Sequence, residues 1–310
     1  MKLLLKYIII AGIMLTTLKS TGQQDPIFTQ YMFNTQAINP AYAGMWEKIG
    51  FISLVRKQWL GIDKSPFTQM VSFHSPLNNE YVGVGLNVIN DRLAYEERLS
   101  IFADYSYELL VTPERRLRLG MKVGFMHYKN PLTRYQLYPD GIFDPMFQED
   151  IDLKFLPNFG VGAFYYDEDY YISFSIPKLV KNDFKENRNN FSSLAEIRHL
   201  YLSGGYVFHL NPVLKFKPTM MLRAAIGVPV QVDLSANFLL NDKLWLGTMV
   251  RTGDALCFVA QWIFDNNIRI GYAMDVTFTE IYRQQNGTYE FTLSYDIDFY
   301  GRSYIRAKYF

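Results

Sequence analysis

Hydrophobic and polar residues alternate in short segments along most of this chain, with the two-residue period of a β-strand whose faces meet different surroundings. The clearest segment runs from Arg116 to Tyr128. Its apolar face carries Leu117, Leu119, Met121, Val123 and Phe125, and its polar face carries Arg116, Arg118, Gly120, Lys122 and Gly124. The segments Val230–Leu239 and Tyr289–Ile297 alternate almost as regularly. This pattern predicts strands that are apolar on one side only.

About fourteen strands are predicted by this alternation. The remaining ones centre on Phe51–Lys57, Phe67–His74, Val82–Ile89, Leu99–Leu109, Phe159–Tyr166, Tyr170–Ile176, Ile197–Leu210, Leu214–Ala225, Leu244–Arg251, Ala255–Phe264 and Ile268–Phe278. Beyond the first two dozen residues, no apolar run approaches the roughly 20 residues of a membrane-spanning helix. Alternating strands are instead typical of a barrel whose outer face meets lipid and whose inner face meets the lumen. We therefore predict an all-β fold, a transmembrane outer-membrane antiparallel β-barrel.

The lengths of the connections alternate along the chain as well. Counted in order, the even connections are all short: Ser75–Glu80, Thr112–Arg115, Asp167–Asp169, Asn211–Pro212, Asn241–Lys243 and Asp265–Asn267. The long ones all fall at odd places: Gln58–Pro66, Lys129–Pro157, Lys181–Glu196 and Thr279–Gly287. In outer-membrane barrels the short turns are periplasmic and the long loops extracellular, so both chain termini are predicted to be periplasmic. Two short odd connections, near Gly227–Val228 and Gly253, predict a low extracellular rim over strands nine to twelve.

The first 22 residues are typical of a cleavable export signal. Lys2 and Lys6 precede the mostly apolar stretch Tyr7–Leu18, and the small residues Ser20 and Gly22 precede Gln23. The apolar stretch is too short for an uncleaved membrane anchor. We predict a signal peptide in residues 1–22, a periplasmic N-terminal arm or plug in residues 23–48, and the barrel in residues 49–310.

Residues 23–48 lack alternation and carry large apolar side chains among polar ones. The candidate partner-binding residues in this segment are Phe28, Gln30, Tyr31, Met32, Phe33, Tyr42 and Trp46. Aromatic residues of this kind often dominate the binding energy of an interface, which favours an arm that docks a periplasmic partner. The alternative is that the segment plugs the lumen. At the other end, the tail from Arg302 to Phe310 is predicted to complete the last strand or to add a short edge.

The composition limits the partners and reactions that are expected for this protein. Aromatic residues make up 16% of the chain, which favours strands and membrane interfaces. The net charge of +1 argues against a nucleic-acid partner. Cys257 is the only cysteine, so no disulfide framework is expected. The four histidines, His74, His127, His199 and His209, show no metal-ligand spacing, and no motif marks a nucleophilic serine. We predict no catalytic residues, no metal and no cofactor.

Charged residues of both signs lie on the predicted lumen face: Asp104, Glu108, Arg116, Arg118, Lys122, Asp233, Arg251, Arg269, Asp275, Glu290 and Asp296. They fit either an open pore or a lumen filled by interlocking ion pairs, although mixed sign argues against a charge-selective channel. The loop with Asp140, Asp144, Glu149, Asp150 and Asp152 is either a solvated acidic loop or a calcium site. The pairs Gly83/Gly85 and Gly160/Gly162 predict close packing inside the barrel, because no helix follows either pair to form a phosphate loop.

Three groups of residues near the N-terminus resemble a known family. They are Asp25, Pro26, Phe28, Gln30 and Tyr31; then Asn39 to Gly44; then Arg56, Gln58, Trp59 and Gly61. Together they resemble the opening of the PorP/SprF family of type IX secretion system outer-membrane proteins. Later similarities are Asn90-Asp91, Gln231 to Leu234, and Gly271-Tyr272-Ala273 with Asp275. The chain departs from the family pattern at Met274, where an aromatic residue is frequent, and at Asn286–Glu290, where Gly-Ser-His-Glu is frequent.

The resemblance implies a non-enzymatic outer-membrane component of the type IX secretion system or the gliding motility machinery. Such a component supports secretion or surface attachment of cargo and docks periplasmic partners. The implied partners are outer-membrane lipid, periplasmic ring or peptidoglycan-binding components, and secreted cargo or an adhesin. The main alternative is a passive outer-membrane channel or a fatty-acid-type transporter, which also uses an N-terminal plug in a barrel. An outer-membrane lipase is a third hypothesis, and it needs a catalytic serine.

Overall fold

The computed structural model describes residues 26–46, 48–77, 81–136, 144, 147–182, 196–265, 267–299 and 309–310. The strands are β1 Ile49–Lys57, β2 Phe67–Pro76, β3 Val82–Leu93, β4 Glu96–Leu110, β5 Arg116–Asn130, β6 Ile151–Tyr166, β7 Tyr170–Ile176, β8 His199–Tyr206, β9 Phe208–His209, β10 Leu214–Ala225, β11 Val228–Leu240, β12 Leu244–Arg251, β13 Ala255–Ile263, β14 Ile268–Thr277 and β15 Thr288–Ile297. Short 3-10 turns span Thr35–Ala37, Pro40–Tyr42, Leu132–Arg134 and Glu280–Gln284. Within the described ranges, no helix is long and apolar enough to span a membrane.

The strands form one closed antiparallel barrel. Consecutive strands pair with each other, and β15 closes the barrel against β1, from Ile49 opposite Ile297 to Lys57 opposite Tyr289. The elements β8 and β9 pair with β10 in the same register, so they form one wall strand that is interrupted at Val207. The fifteen strand elements therefore build a wall of fourteen strands, which confirms the predicted fold.

The two faces of the wall differ as the alternation predicts. On β5, the outward side chains of Leu119, Met121 and Val123 are exposed, whereas Arg118 and Lys122 point inward and are buried. The same division holds on β11 and β15. A closed barrel satisfies its backbone hydrogen bonds internally, and its apolar outer belt suits lipid. The charged lumen face thus lies inside a wall that spans the membrane.

The connections sort by length between the two ends of the barrel. The strand ends that flank the connections 58–66, 131–150, 177–198 and 278–287 lie at the end that we call the long-loop end. The strand ends that flank 77–81, 111–115, 167–169, 241–243 and 264–267 lie at the opposite end, which we call the short-turn end. The tight turns 226–227 and 252–254 also lie at the long-loop end, as predicted. Gly227 and Gly253 have φ values of 81° and 69°, a region that favours glycine.

Two hairpins are longer than the alternation suggests. The strands β3 and β4 continue past Ile89 and Leu99 to a two-residue turn, 94–95, and β6 begins at Ile151 rather than near Phe159. Pairing between β5 and β6 continues as far as Asn130 opposite Ile151, past a bulge between Met126 and Tyr128. Beyond the lipid belt the outward face no longer has to be apolar, so the alternation fades before the strands end.

Candidate functional site

Residues 26–46, which we call the lumen segment, run through the interior of the barrel. At the long-loop end, Pro26 borders a cavity that is also lined by Asp91 and Arg98. At the short-turn end, the Arg269 guanidinium lies 3.8 Å from the centroid of the Trp46 ring. The lumen segment therefore crosses the lumen from one mouth to the other. Residues 1–25 lie outside the described residues, so the predicted signal peptide and the predicted periplasmic N-terminus stay predictions.

The predicted partner-binding residues all lie on the lumen segment. Phe28, Gln30, Tyr31, Met32 and Tyr42 are buried, and Phe33 and Trp46 are half-buried. Their burial comes from the inner wall of the barrel, from other parts of the segment and, for Tyr42 and Trp46, from Phe310. The partner-binding role stays a prediction, and this burial favours the alternative in which the segment plugs the lumen.

Asn39 fixes the shape of the lumen segment and its position. Its side-chain Oδ1 accepts a hydrogen bond from the Ala41 N–H at 2.9 Å, which begins the 3-10 turn Pro40–Tyr42. Its Nδ2 donates to the Ala163 carbonyl at 3.0 Å and to the Ser173 hydroxyl at 2.8 Å. One side chain thus caps a turn and ties it to two neighbouring wall strands.

Glycines on the inner wall let the backbone of the segment approach closely. A Cβ atom at Gly120 would lie 2.2 Å from the Ala41 nitrogen, and one at Gly83 would lie 2.1 Å from the Ala43 carbonyl oxygen. A Cβ at Gly162 would lie 2.0 Å from Asn39 Oδ1. Any larger residue would collide with the segment, so the predicted close packing at Gly83 and Gly162 is confirmed.

A buried charge cluster, Arg56, Asp275 and Glu290, holds the other half of the segment near the long-loop end. Arg56 forms ion pairs with Glu290 at 2.5 Å and with Asp275 at 3.0 Å. The Glu290 carboxylate accepts hydrogen bonds from the backbone N–H groups of Thr29 at 2.7 Å and Gln30 at 3.0 Å. The cluster joins β1, β14 and β15, so the segment is bound where the first and last strands meet.

The motifs that resemble the known family lie far apart in the sequence, but several of their residues come together at this charge cluster. Arg251 pairs with Asp233 at 3.2 Å and lies 3.9 Å from the Asp275 carboxylate. A Cβ at Gly271 would lie 2.3 Å from Gln30 Oε1, and this oxygen accepts a hydrogen bond from Thr292 at 3.0 Å. The separate motifs around residues 30, 56 and 271–275 therefore share one task, the binding of the lumen segment, and Asp233 joins them through Arg251.

The other charges predicted on the lumen face are paired too. Asp104 lies 3.5 Å from Lys122, and Glu108 lies 2.9 Å from Arg118. All the charges predicted on the lumen face are buried and form ion pairs: Asp104, Glu108, Arg116, Arg118, Lys122, Asp233, Arg251, Arg269, Asp275, Glu290 and Asp296. The segment adds to them, because Gln36 donates to Asp104 at 3.0 Å. The alternative of a lumen filled by interlocking ion pairs is thus the one observed.

Histidines, the cysteine and the acidic loop show no cluster with the geometry of a metal site within the described residues. His127 pairs with Asp152 at 2.6 Å and His209 with Asp169 at 2.9 Å, whereas Cys257 is buried on the inner wall. Thr133 donates from its backbone N–H and its hydroxyl to Asp150, which lowers the pKa of this carboxyl. Asp140 lies outside the described residues, so calcium binding by the loop stays a prediction.

The tail differs from its prediction. The last wall strand ends at Ile297, and residues 300–308 lie outside the described residues. Tyr309 and Phe310 are not in a strand, and Phe310 is buried in the lumen among Tyr42, Phe164 and Tyr171. The prediction of a strand is therefore wrong for these two residues, because aromatic side chains fit the lumen mouth as well as the membrane interface.

A family profile matches the chain in sequence, and solved structures are similar to it in fold. The profile of the family described as type IX secretion system membrane protein PorP/SprF matches residues 20–295. No curated protein matches the chain significantly. The outer membrane protein Omp33 of Acinetobacter baumannii is similar in structure, with 9% identity, a TM-score of 0.49, and coverage of 82% of this chain and 100% of that one. A Pseudomonas aeruginosa FadL homologue has 10% identity, a TM-score of 0.49, and coverage of 89% and 96%.

Proposed function

Because the chain belongs to the PorP/SprF family of type IX secretion system membrane proteins, we propose that it acts as a non-enzymatic, non-conducting anchor of that machinery in the outer membrane. Membership of the family implies interaction with other components of the system. The finer role that we propose is to support secretion or surface attachment of cargo on one side of the membrane and to dock periplasmic components on the other.

The filled lumen is the observation that carries this proposal. The lumen segment spans the barrel, and its contacts with Gly83 and Gly120 are backbone contacts without room for water. The cavities that border the segment include one of about 70 Å³ near Pro26 and one of about 20 Å³ near Trp46. A passive channel or a fatty-acid-type transporter needs a continuous path, so the segment disfavours that alternative in the state seen here.

The two rims are the surfaces left for partners. We assign the long loops to the extracellular side and the short turns to the periplasm, following the usual architecture of outer-membrane barrels. The long-loop rim, which includes the exposed Phe278 and Tyr282, then faces secreted cargo or a gliding adhesin. The short-turn rim faces the periplasmic ring or peptidoglycan-binding components. Both roles connect the barrel to the machine without any catalytic step.

Photo-cross-linking in living cells tests this role. A photoactivatable amino acid is placed at Tyr282 on the long-loop rim, at Glu114 on the short-turn rim, and at the lipid-facing Leu119 as the control. We expect Glu114 to capture periplasmic components of the system, Tyr282 to capture cargo, and Leu119 to capture neither. Efficient cross-linking at both rims to lipid or to the barrel alone would contradict the anchor role.

A further inference from the structure

Tyr309 and Phe310 occupy a pocket at the short-turn end of the lumen, and this pocket has the features of a peptide-binding site. The Phe310 ring packs against the Tyr171 ring, with 5.0 Å between the centroids. Trp46 Nε1 donates a hydrogen bond to the main-chain oxygen of Phe310 at 2.9 Å, and the Tyr42 hydroxyl donates to the same oxygen. An aromatic wall for the side chain and two donors for a main-chain oxygen together recognise an aromatic residue of a peptide.

Lys217 recognises the preceding peptide unit. Its Nζ donates to the Tyr309 carbonyl at 2.6 Å and lies 5.1 Å from the centroid of the Trp245 ring. Lys217 is buried, and the ion pairs among the described residues do not include it. Because a buried ammonium without a hydrogen-bond acceptor is costly, this lysine depends on the peptide carbonyl. The pocket is therefore more stable occupied than empty.

The occupant lies at the mouth of the lumen, where another peptide can reach it. Tyr309 is only half-buried. The Lys215 ammonium lies over the Tyr309 ring, and the centroid of the His209 ring lies 5.7 Å from the centroid of that ring. The cavity of about 20 Å³ lies between Phe310, Trp46 and neighbouring wall residues, so Tyr309 and Phe310 do not fill the pocket completely. Among the described residues, the turn 241–243 at this end of the barrel is short. Exchange of the occupant thus needs no opening of the wall.

We propose that this pocket binds an extended peptide with an aromatic side chain, and that Tyr309 and Phe310 occupy it until a partner presents such a peptide. Exchange keeps the donors of Tyr42, Trp46 and Lys217 satisfied, because any peptide offers carbonyls at the same places. The tail then acts as an internal competitor that limits docking to partners with a matching aromatic segment. Only the periplasmic location of that partner rests on the proposed function.

Fluorescence anisotropy with a labelled peptide of residues 302–310 of this chain tests the proposal. A double variant, Tyr309→Ala with Phe310→Ala, removes the two side chains that fill the pocket, and we expect it to bind the peptide about tenfold more tightly than the wild type, or about 1.4 kcal/mol. A further Lys217→Met change should remove most of this gain. The matched control is the same peptide with alanine in place of its last two residues, which should bind to neither protein.

Heat-modifiable migration on gels shows that each variant is folded. If Lys217→Met does not fold, Trp46→Phe takes its place, because this change removes the indole donor and keeps an aromatic ring at the same position. A folded double variant that binds the peptide no better than the wild type would overturn the proposal, and so would binding that is unaffected by Lys217→Met and Trp46→Phe. The assay contains no secretion component, so its failure leaves the anchor role untouched.

Discussion

A variant in which Phe28 and Tyr31 are both replaced by alanine is expected to lose much of the stability of the barrel. Phe28 packs in one cluster with Leu54 and Met70, whereas Tyr31 packs in another that includes Met249. Truncation of a buried aromatic side chain costs about 3–5 kcal/mol, through lost transfer free energy and the cavity left behind. Because the two clusters are separate, the two losses should nearly add. The measurement is the urea midpoint of unfolding in detergent.

The matched control for this variant is Phe258→Ala, because the Phe258 side chain faces outward on β13. Detergent or lipid fills the space that this substitution leaves, so we expect a small change in the midpoint. A lumen variant with the wild-type midpoint and a lost cross-linked partner would show that residues 26–46 form a docking arm rather than a plug.

The second large effect is expected for Arg56→Met. This change leaves the buried carboxylates of Asp275 and Glu290 without the cation that lies 3.0 Å and 2.5 Å from them. Loss of one partner of a buried ion pair costs about 3–5 kcal/mol, because the remaining charge stays desolvated. The lumen segment should loosen at the same time, since Glu290 also binds the backbone of Thr29 and Gln30. The urea midpoint of unfolding measures the loss of stability. Limited proteolysis after Gln30 measures the loosening of the lumen segment.

An exposed pair on the wall provides the control for Arg56→Met. Arg92 and Glu97 are 2.8 Å apart, and their side chains are 54% and 39% exposed. Exposed ion pairs contribute about 0–1 kcal/mol, so Arg92→Met should shift the midpoint little. Equal shifts in the two variants would contradict the claim that the buried cluster stabilises the filled barrel.

The barrel wall is the part of the molecule that its sequence predicts best. Alternation reports the two environments of a strand, so the outward Leu119 and the inward Arg118 follow directly from the period of two. The alternation weakens where the outer face of a strand leaves the lipid. For this reason it does not predict that β6 begins at Ile151. The tail was mispredicted for a related reason, because the Phe310 ring suits the lumen mouth as well as a membrane belt.

The filling of the lumen was not decided by the sequence. The inner face of β5 is polar, and its sequence pattern is the same whether water or protein covers it. The sequence is therefore compatible with an open lumen and with a filled one. Gly83 and Gly162 carried the one usable signal, because glycines on an inner face permit close approach of another part of the chain. Their partners, Ala43 and Asn39, are far away in the chain, and alternation says nothing about such pairings. The alternation does not predict the ion pair between Arg56 and Asp275 for the same reason.

Planar-bilayer conductance tests most directly the claim that the lumen segment seals the barrel. The measurement compares the wild-type protein with a variant that lacks residues 26–46, after heat-modifiable migration has shown that both are folded. We predict that the wild type inserts without steady conductance and that the deletion opens a channel, because the paired charges of the inner wall then line water. Large and steady channels formed by the wild-type protein would contradict the account and favour the channel alternative.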